Sequence, residues 1–110
     1  MWYHFTELET AVRSDIPTIT IVNNNNALNQ EYDIFMNAYD GKPSNRWTEM
    51  WYFNKVSFAD LAKNMGAFGI RVTDPTDIKE AVKEAMKSKK PSIVEIDGDV
   101  NALAPTAWSK

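Results

Sequence analysis

The apolar positions of the chain alternate between a helical and a strand-like spacing. Phe5, Leu8 and Val12 recur at intervals of three and four residues, which predicts an amphipathic helix. The run from Thr18 to Val22 is β-branched throughout, which is typical of a strand. The predicted order is a helix over 3–14, a strand over 18–22, a helix over 58–65, a strand over 69–72, a helix beginning after Asp74 and a strand over 92–96.

Turn and capping residues mark the boundaries of these elements. Pro17 stops the first helix, because proline disfavours helical geometry in the residue before it. Ser57 is a favourable N-cap for the second helix, and Gly66 is a favourable stop. Asp74 followed by Pro75 is a strong start for the third helix. The boundary residues therefore support separate helices and strands.

The alternation predicts an α/β fold made of right-handed βαβ units. We expect a single domain over residues 1–110, as a three-layer sandwich in which a short parallel sheet of about three strands has helices on both faces. The strand over 18–22 carries no charge on either face, which suits a sheet covered on both sides. The sheet is thin, and the chain starts on a helix with no strand before it. Both features favour a piece of a larger sheet, and a small free-standing three-layer domain is the alternative.

Two segments lie outside this alternation. Residues 37–54 lack a regular spacing, yet they include Tyr39, Trp47 and the aromatic run Trp51–Phe53. Aromatic side chains of this size bury large areas, so we expect an aromatic insert or lid that packs on the core, a partner or a ligand. Residues 98–110 are predicted to form a C-terminal tail with Trp108 as its one anchor.

Composition and charge exclude several classes of function. The net charge of −3 and the pI of about 5.1 argue against a nucleic-acid partner, which would need a concentrated basic face. The one basic cluster, Lys87 with Lys89 and Lys90, falls at a predicted helix end, where cations are favourable. No run approaches the ~20 apolar residues of a membrane span, and the start of the chain does not resemble a signal peptide. Cysteine is absent, which excludes thiolate chemistry, and a cytoplasmic location is the default expectation.

The most informative polar feature is the run Asn23–Asn26, directly after the first predicted strand. Ligands of open α/β sheets bind beyond the carboxyl ends of the strands, so the position suits a binding site. Asparagine oxygens suit Mg²⁺ or Ca²⁺, although they bind neither ion strongly without carboxylates. The alternative is a polar turn, because asparagine tolerates left-handed backbone geometry. The residues alone leave both interpretations open.

The other candidates for chemistry are weaker. His4 is the only histidine, and it has no second histidine or cysteine with which to form a metal set. No serine lies in a nucleophile elbow, and no glycine-rich phosphate loop occurs. Asp97-Gly98-Asp99 is interpreted as a turn at the end of a strand, since the remaining positions of a calcium loop are missing. No catalytic residue is predicted in this chain.

The order and spacing of several segments resemble one known family. The sequence ELETAVR begins at Glu7, IPTITIVNNN begins at Ile16, FADLA begins at Phe58 and GIRV begins at Gly69. Together they resemble the diphosphate-binding domain of thiamine-diphosphate-dependent enzymes, and the branch they resemble most is acetolactate synthase and its relatives. The resemblance covers nearly the whole chain, and residues 37–54 fit it least.

The resemblance implies a cofactor site at the asparagine run. In this family, Mg²⁺ holds the diphosphate of the cofactor through the aspartate of a Gly-Asp-Gly motif, the second residue of an Asn-Asn pair and a backbone carbonyl two residues later. Pro17 stands where the family has its proline, which makes Asn25 the side-chain ligand and Ala27 the carbonyl ligand. The implied cofactor-binding residues are Asn24, Asn25, Asn26, Ala27 and Leu28, with Gln30 also facing the cofactor within the segment Asn26–Phe35.

The resemblance also implies what the chain is a part of. By the family's spacing the Gly-Asp-Gly aspartate falls before Met1, so we expect the C-terminal portion of a diphosphate-binding domain. The implied enzyme decarboxylates a 2-keto acid and transfers the two-carbon product, with the cofactor carrying the chemistry. The implied partners are that substrate, the remaining domains or subunits of the enzyme and further copies in a homo-oligomer.

Two neutral oxygens are a poor match for a dication. We therefore expect the chain by itself to bind the cofactor weakly and to be inactive. One alternative is a non-catalytic fragment that acts as an assembly module. Another is a small regulatory ligand-binding domain that shares the α/β pattern.

Overall fold

A computed structural model describes residues 1–28, 32–42 and 44–102. Its helices are α1 (Glu7–Arg13), α2 (Tyr32–Ala38), α3 (Phe58–Asn64) and α4 (Ile78–Ser88), and its strands are β1 (Ile19–Asn24), β2 (Phe68–Val72) and β3 (Ser92–Asp97). Short 3-10 turns cover Trp2–His4, Trp47–Met50 and Pro75–Asp77. The chain divides into two compact units: a sheet unit, residues 1–24 and 56–97, and a loop unit, residues 25–55 and 98–110.

The sheet unit is built on a parallel three-stranded sheet in the order β1-β3-β2. β3 lies in the centre and pairs with β1 from Ile19 opposite Ser92 to Asn24 opposite Asp97. β2 pairs with the other side of β3, beginning with Phe68 opposite Ser92. The predicted α/β fold with a short parallel sheet is confirmed.

Helices cover both faces of the central strand. On one face α1 and α3 pack against Ile93, and on the other α4 packs against Val94. Adjacent residues of a strand point to opposite faces, so both faces of β3 are buried. The two cores consist of Leu8, Val22, Phe58, Ala62, Ala67 and Ile93 on the first face and of Val72, Ala81, Ala85 and Val94 on the second.

The edge strand β1 is less well covered. Val22 and Asn24 are buried, whereas Ile19 is 37% exposed and Ile21 is 54% exposed. These isoleucines lie on the α4 side of the sheet, where α4 packs on β2 and β3. The prediction that the first strand is covered on both sides is therefore wrong for its isoleucine side.

The predicted caps are present in the structure. The Ser57 hydroxyl accepts the backbone N–H of Asp60 at 3.1 Å, and the Asp74 carboxylate accepts that of Thr76 at 2.9 Å. Gly66 follows α3 with a φ of +87°, a left-handed value that glycine adopts readily. The turn at Asp74 is of the 3-10 type over its first residues, so α4 begins only at Ile78.

Several elements differ from the sequence-based expectation. The helix predicted over 3–14 is divided, because hydrogen bonds such as Leu8 N–H to Phe5 C=O join residues three apart and give the first turns 3-10 character. β1 runs two residues beyond Val22, because pairing with β3 continues to Asn24. α2 was not predicted, and none of its seven residues is buried.

The remaining expectations concern the C-terminal tail, membrane-spanning helices and the number of domains. Asp99 accepts the backbone N–H of Asn101 at 2.9 Å just after β3, which confirms a turn at the end of this strand. Trp108 lies outside the described residues. No helix within the described ranges has the length and apolar character needed to cross a membrane. The assignment of residues 1–110 to a single domain stays a prediction.

Candidate functional site

The four asparagines after the apolar part of β1 have different environments. Asn23 and Asn24 are still in the strand, so their side chains point to opposite faces; Asn23 is exposed and Asn24 is buried. Asn25 and Asn26 follow the strand and belong to the loop unit. The sequence placed all four after a strand that ends at Val22 and left a binding site and a polar turn open. The structure instead puts Asn23 and Asn24 in β1 and Asn25 and Asn26 after it.

The buried amide of Asn24 makes two hydrogen bonds within the sheet unit. Its Nδ2 donates to the backbone carbonyl of Val56 at 3.0 Å and to Oε1 of Glu95 at 2.7 Å. Because one NH₂ group donates to two acceptors, the plane of the amide is fixed. The predicted cofactor-binding residue Asn24 is thus a structural neighbour of a carboxylate in the central strand.

Glu95 is fully buried, although it is charged and lies in the middle of the sheet. Its Oε2 accepts the backbone N–H of Ala59 at 2.9 Å and the hydroxyl of Ser57 at 3.1 Å. The Ser57 oxygen already accepts the N–H of Asp60, so its proton is directed to Glu95. All three partners of Glu95 are donors, which is the arrangement that an ionised carboxylate requires.

Reasoning from the sequence missed Glu95. The available signal was a single charged residue inside the apolar run Ser92–Ile96, where an acidic side chain is rarely buried without partners. The sequence did not indicate which partners satisfy it, because Asn24, Ser57 and Ala59 are all distant along the chain.

In the loop unit, Asn25 and Ala27 are held in one turn. Oδ1 of Asn25 accepts the backbone N–H of Ala27 at 3.1 Å, a side-chain turn typical of asparagine. Between them Asn26 has a φ of +55°, the left-handed conformation that asparagine tolerates better than most residues. The structure therefore brings the two predicted metal ligands into contact, and the predicted polar turn is also present.

A single antiparallel bridge follows this turn. Leu28 N–H donates to Trp51 C=O, and Phe53 N–H donates to Asn26 C=O, each at 2.8 Å. Ala27 lies opposite Tyr52 in the bridge. In such a pair the hydrogen bonds come from the flanking residues, so the backbone carbonyl of Ala27 is directed away from Tyr52. Leu28 is 42% exposed, and Gln30 lies outside the described residues.

The aromatic residues of the loop unit form a cluster of rings. Trp51 is buried and lies 5.5 Å from Tyr32, 5.2 Å from Trp47 and 4.2 Å from Tyr52, measured between ring centroids. These ring contacts all lie within the loop unit, and the expected packing of residues 37–54 on the core, a partner or a ligand stays a prediction. The role of this segment as a lid also stays a prediction.

The carboxyl ends of β2 and β3 carry a surface ion pair. Arg71 donates to both carboxylate oxygens of Asp97, each at 2.8 Å. This hydrogen bonding raises the pKa of Arg71, and the charge of Asp97 adds to the effect. The pair is partly exposed, so its contribution to stability is small, about 0–1 kcal/mol.

Carboxylate-rich metal sites are absent from the described ranges. They contain no group of three or more histidine, cysteine, aspartate or glutamate residues that could hold a metal ion. His4 is exposed. The oxygen donors of the described turn are therefore neutral: an amide oxygen on Asn25 and a carbonyl on Ala27.

Comparison with known protein families identifies the family of this chain. Residues 1–96 match the model of the thiamine pyrophosphate enzyme, C-terminal TPP binding domain, where TPP is another name for thiamine diphosphate. The chain belongs to this family. The match includes β1, the asparagine run and Glu95, so the sequence-based recognition of a thiamine-diphosphate-binding domain is confirmed.

Curated relatives of this TPP-binding domain include two acetolactate synthases. The chain is 32% identical over 90 residues to a probable acetolactate synthase large subunit of Methanocaldococcus jannaschii, covering 82% of the chain. It is 30% identical over 93 residues to an acetolactate synthase of Bacillus subtilis, covering 84% of the chain. A sulfoacetaldehyde acetyltransferase of Alcaligenes xylosoxydans is 35% identical over 94 residues, covering 82% of the chain. The chain spans about 15% of the length of each of these relatives.

Proposed function

We propose that this TPP-binding domain provides one side of the site that holds thiamine diphosphate and Mg²⁺, in an enzyme that decarboxylates a 2-keto acid and transfers the two-carbon product. The family match carries the proposal for the cofactor. The names of two relatives, both acetolactate synthases, support the 2-keto acid as the substrate class. The third relative is named for sulfoacetaldehyde, so the acceptor is left open.

Asn25 and Ala27 are the proposed metal ligands. Oδ1 of Asn25 accepts one hydrogen bond from Ala27, and an amide oxygen can accept two partners. The carbonyl of Ala27 is directed away from its bridge partner. Amide and carbonyl oxygens match the preference of Mg²⁺ for hard oxygen ligands, and the ion commonly completes its shell with phosphate oxygens and water. The two donors therefore fit the ion chemically.

The same donors set a limit on affinity. Neither oxygen carries a charge, and a dication bound to a diphosphate is usually held by one or two carboxylates as well. We expect this polypeptide by itself to bind the cofactor weakly and to have no catalytic turnover. When bound, thiamine diphosphate would supply the carbanion chemistry that the decarboxylation of a 2-keto acid requires. The part of the residues in this chain is to bind and orient the diphosphate.

The proposed partners are the remaining domains or subunits of the enzyme and further copies of the chain. The exposed isoleucines of β1 support this part of the proposal, because an apolar edge strand is normally covered in a working assembly. A cytoplasmic location is consistent with the cysteine-free sequence.

Isothermal titration with Mg²⁺ and thiamine diphosphate tests the proposal. We expect weak binding by the wild-type chain, a further loss in Asn25→Ala and no change in Asn23→Ala, the matched variant on the exposed face of β1. Submicromolar binding by the chain alone would contradict the limit on affinity. Equal binding by the wild type and Asn25→Ala would contradict the assignment of the ligand.

An assembly module without catalysis is the second candidate function. The open, apolar edge at Ile19 and Ile21 favours it, since the fold offers a surface for association that does not depend on the cofactor. In this case Asn25→Ala would leave cofactor binding unchanged, and substitutions on β1 would abolish association. The same two groups of variants thus separate the two functions.

A further inference from the structure

The two residues that flank the segment 25–55, Asn24 and Val56, are hydrogen-bonded to each other. The segment leaves the sheet unit after Asn24 and returns to it at Val56. Nδ2 of Asn24 donates to the carbonyl of Val56 at 3.0 Å. A hydrogen bond between the flanking residues fixes the distance between the two ends of a long segment. It thereby reduces the conformational freedom that the segment would otherwise have.

Glu95 extends this connection to the central strand and to α3. Its Oε1 accepts a hydrogen bond from Nδ2 of Asn24, the residue just before the segment. Its Oε2 accepts hydrogen bonds from the hydroxyl of Ser57 and the backbone N–H of Ala59, which follow the segment. One carboxylate therefore binds residues on both sides of the segment, Asn24 before it and Ser57 and Ala59 after it. We call Asn24, Val56, Ser57, Ala59 and Glu95 the clamp.

The clamp is a rigid device because of its charge and burial. Hydrogen bonds to an ionised group are roughly twice as strong as those between neutral groups. Glu95 and Ala59 are almost completely buried, so water does not compete for these bonds. For packing alone, an apolar side chain of similar volume would serve as well as a buried charge, or better. The specific effect of the carboxylate is directional: it fixes where the chain leaves β1 and where it enters α3.

We infer that Glu95 is a positioning residue, which acts through Asn24 to fix the base of the segment 25–55 and hence the start of the turn that contains Asn25 and Ala27. The clamp itself is independent of the proposed function. Only its consequence for metal binding rests on that function, because Asn25 and Ala27 are the proposed ligands.

Hydrogen exchange of the full chain, without metal or cofactor, tests the clamp directly. The informative variants are Glu95→Gln and Asn24→Ala, and Glu84→Gln is the control that removes an exposed carboxylate on α4. The probes are the bridge amides of Leu28 and Phe53, compared with amides in the centre of α4. We expect the bridge amides to exchange about tenfold faster in both clamp variants, with little change in α4.

A purely structural role of Glu95 gives a different pattern. General destabilisation would reduce protection in α4 and in the bridge by the same free energy. Such a uniform change, or no change at the bridge, would overturn the inference. If Glu95→Gln does not fold, Asn24→Ala decides the question, since it leaves the bonds from Ser57 and Ala59 to Glu95 in place.

Paramagnetic broadening by Mn²⁺ in the presence of thiamine diphosphate tests the consequence for the ligands. We expect broadening at Asn25 and Ala27 in the wild type and in Glu84→Gln, and at least threefold less in the two clamp variants at the same concentrations, as follows from a looser ligand pair. Unchanged broadening in the clamp variants would overturn the link between Glu95 and the ligands. If the wild type shows no broadening at Asn25, the proposed function fails, and the exchange data still decide whether the clamp exists.

Discussion

The side-chain amide of Asn24 donates to Oε1 of Glu95 at 2.7 Å and thereby joins the last residue of the edge strand to the central strand. Both residues are buried. The NH₂ group of the amide donates to two acceptors, Glu95 and the Val56 carbonyl, and these fix its orientation. Neighbouring asparagines in the same run lack this environment, so the same substitution has different effects at successive positions.

Substitution of asparagine by aspartate distinguishes Asn24 from Asn23. Asn24→Asp places a second carboxylate against Glu95 and against the Val56 carbonyl, so we expect a loss of about 3 kcal/mol or more in the free energy of unfolding at neutral pH. Asn23→Asp, on the exposed face, is expected to stay within about 0.5 kcal/mol of the wild type. Urea denaturation of both variants measures the difference. Equal losses would show that Asn24 is not held by Glu95.

At Asn25, the proposed side-chain ligand, the same change is expected to increase metal binding. Asn25→Asp replaces a neutral oxygen by a carboxylate, the donor that Mg²⁺ binds most readily, so affinity for Mn²⁺ without cofactor should rise roughly tenfold. The control is Asn23→Asp, which adds the same charge on the exposed face of β1. Titration followed by the relaxation of water protons measures the effect. A similar rise in both variants would point to a general effect of charge.

Gly69 tolerates no side chain, because β2 approaches the start of α3 very closely. A Cβ at this position would overlap the backbone oxygen of Ala59 and lie 2.8 Å from its carbonyl carbon. Since the obstacle is backbone, we expect Gly69→Ala to destabilise the chain by about 3 kcal/mol. Gly41→Ala has open space and only a left-handed φ of +70° to overcome, so its cost should be about 1 kcal/mol. Thermal and urea denaturation of the two variants provide the comparison.

The start of α4 contributes a pH-dependent part of the stability. Hydrogen bonds from the hydroxyl and the backbone N–H of Thr76 lower the pKa of Asp74 in the folded chain. A lowered pKa means that the contribution is fully present above the unfolded pKa of about 3.9 and is lost as the pH falls through the lower, folded value. We expect Asp74→Asn, which keeps a capping oxygen but does not titrate, to lose less stability between pH 6 and pH 3 than the wild type. An identical loss in both would contradict a cap that depends on charge.

Association through the edge strand is expected to depend on Ile21. This side chain is 54% exposed on a strand with one unpaired side in the described sheet, an arrangement that favours pairing with another chain. Ile21→Lys should reduce concentration-dependent association in sedimentation velocity. Met86→Lys, which adds the same charge at a 65% exposed position on α4, is the matched control. Persistent association in Ile21→Lys would direct attention to another surface.

Local signals in the sequence predicted most of the sheet unit. Ser57 and Asp74 are caps whose hydrogen bonds reach only a few residues along the chain, and such short-range preferences can be read from sequence. The β-branched run ending at Val22 identified β1 for the same reason. Its extension to Asn24 could not be predicted, because it depends on pairing with a strand at the far end of the chain.

The site was only partly accessible from sequence. Asn25 and Ala27 are two residues apart, so a pattern of known spacing could predict them as ligands, and their contact is local. Glu95 was missed because burial of a charge depends on partners from other elements, here Asn24 and Ala59. The exposure of Ile21 was missed for a related reason: alternation shows which residues share a face, but not whether a helix covers that face.

The order of strands in the sheet has a consequence for folding. β3 is the last of the three strands along the chain, and it is the only one that pairs with each of the other two within the described sheet. During synthesis β1 and β2 therefore cannot form these pairings until β3 leaves the ribosome, and contacts of such long range are formed slowly. Throughout that interval the isoleucines of β1 are open to other chains, so the yield of folded protein should depend on how fast the final strand arrives.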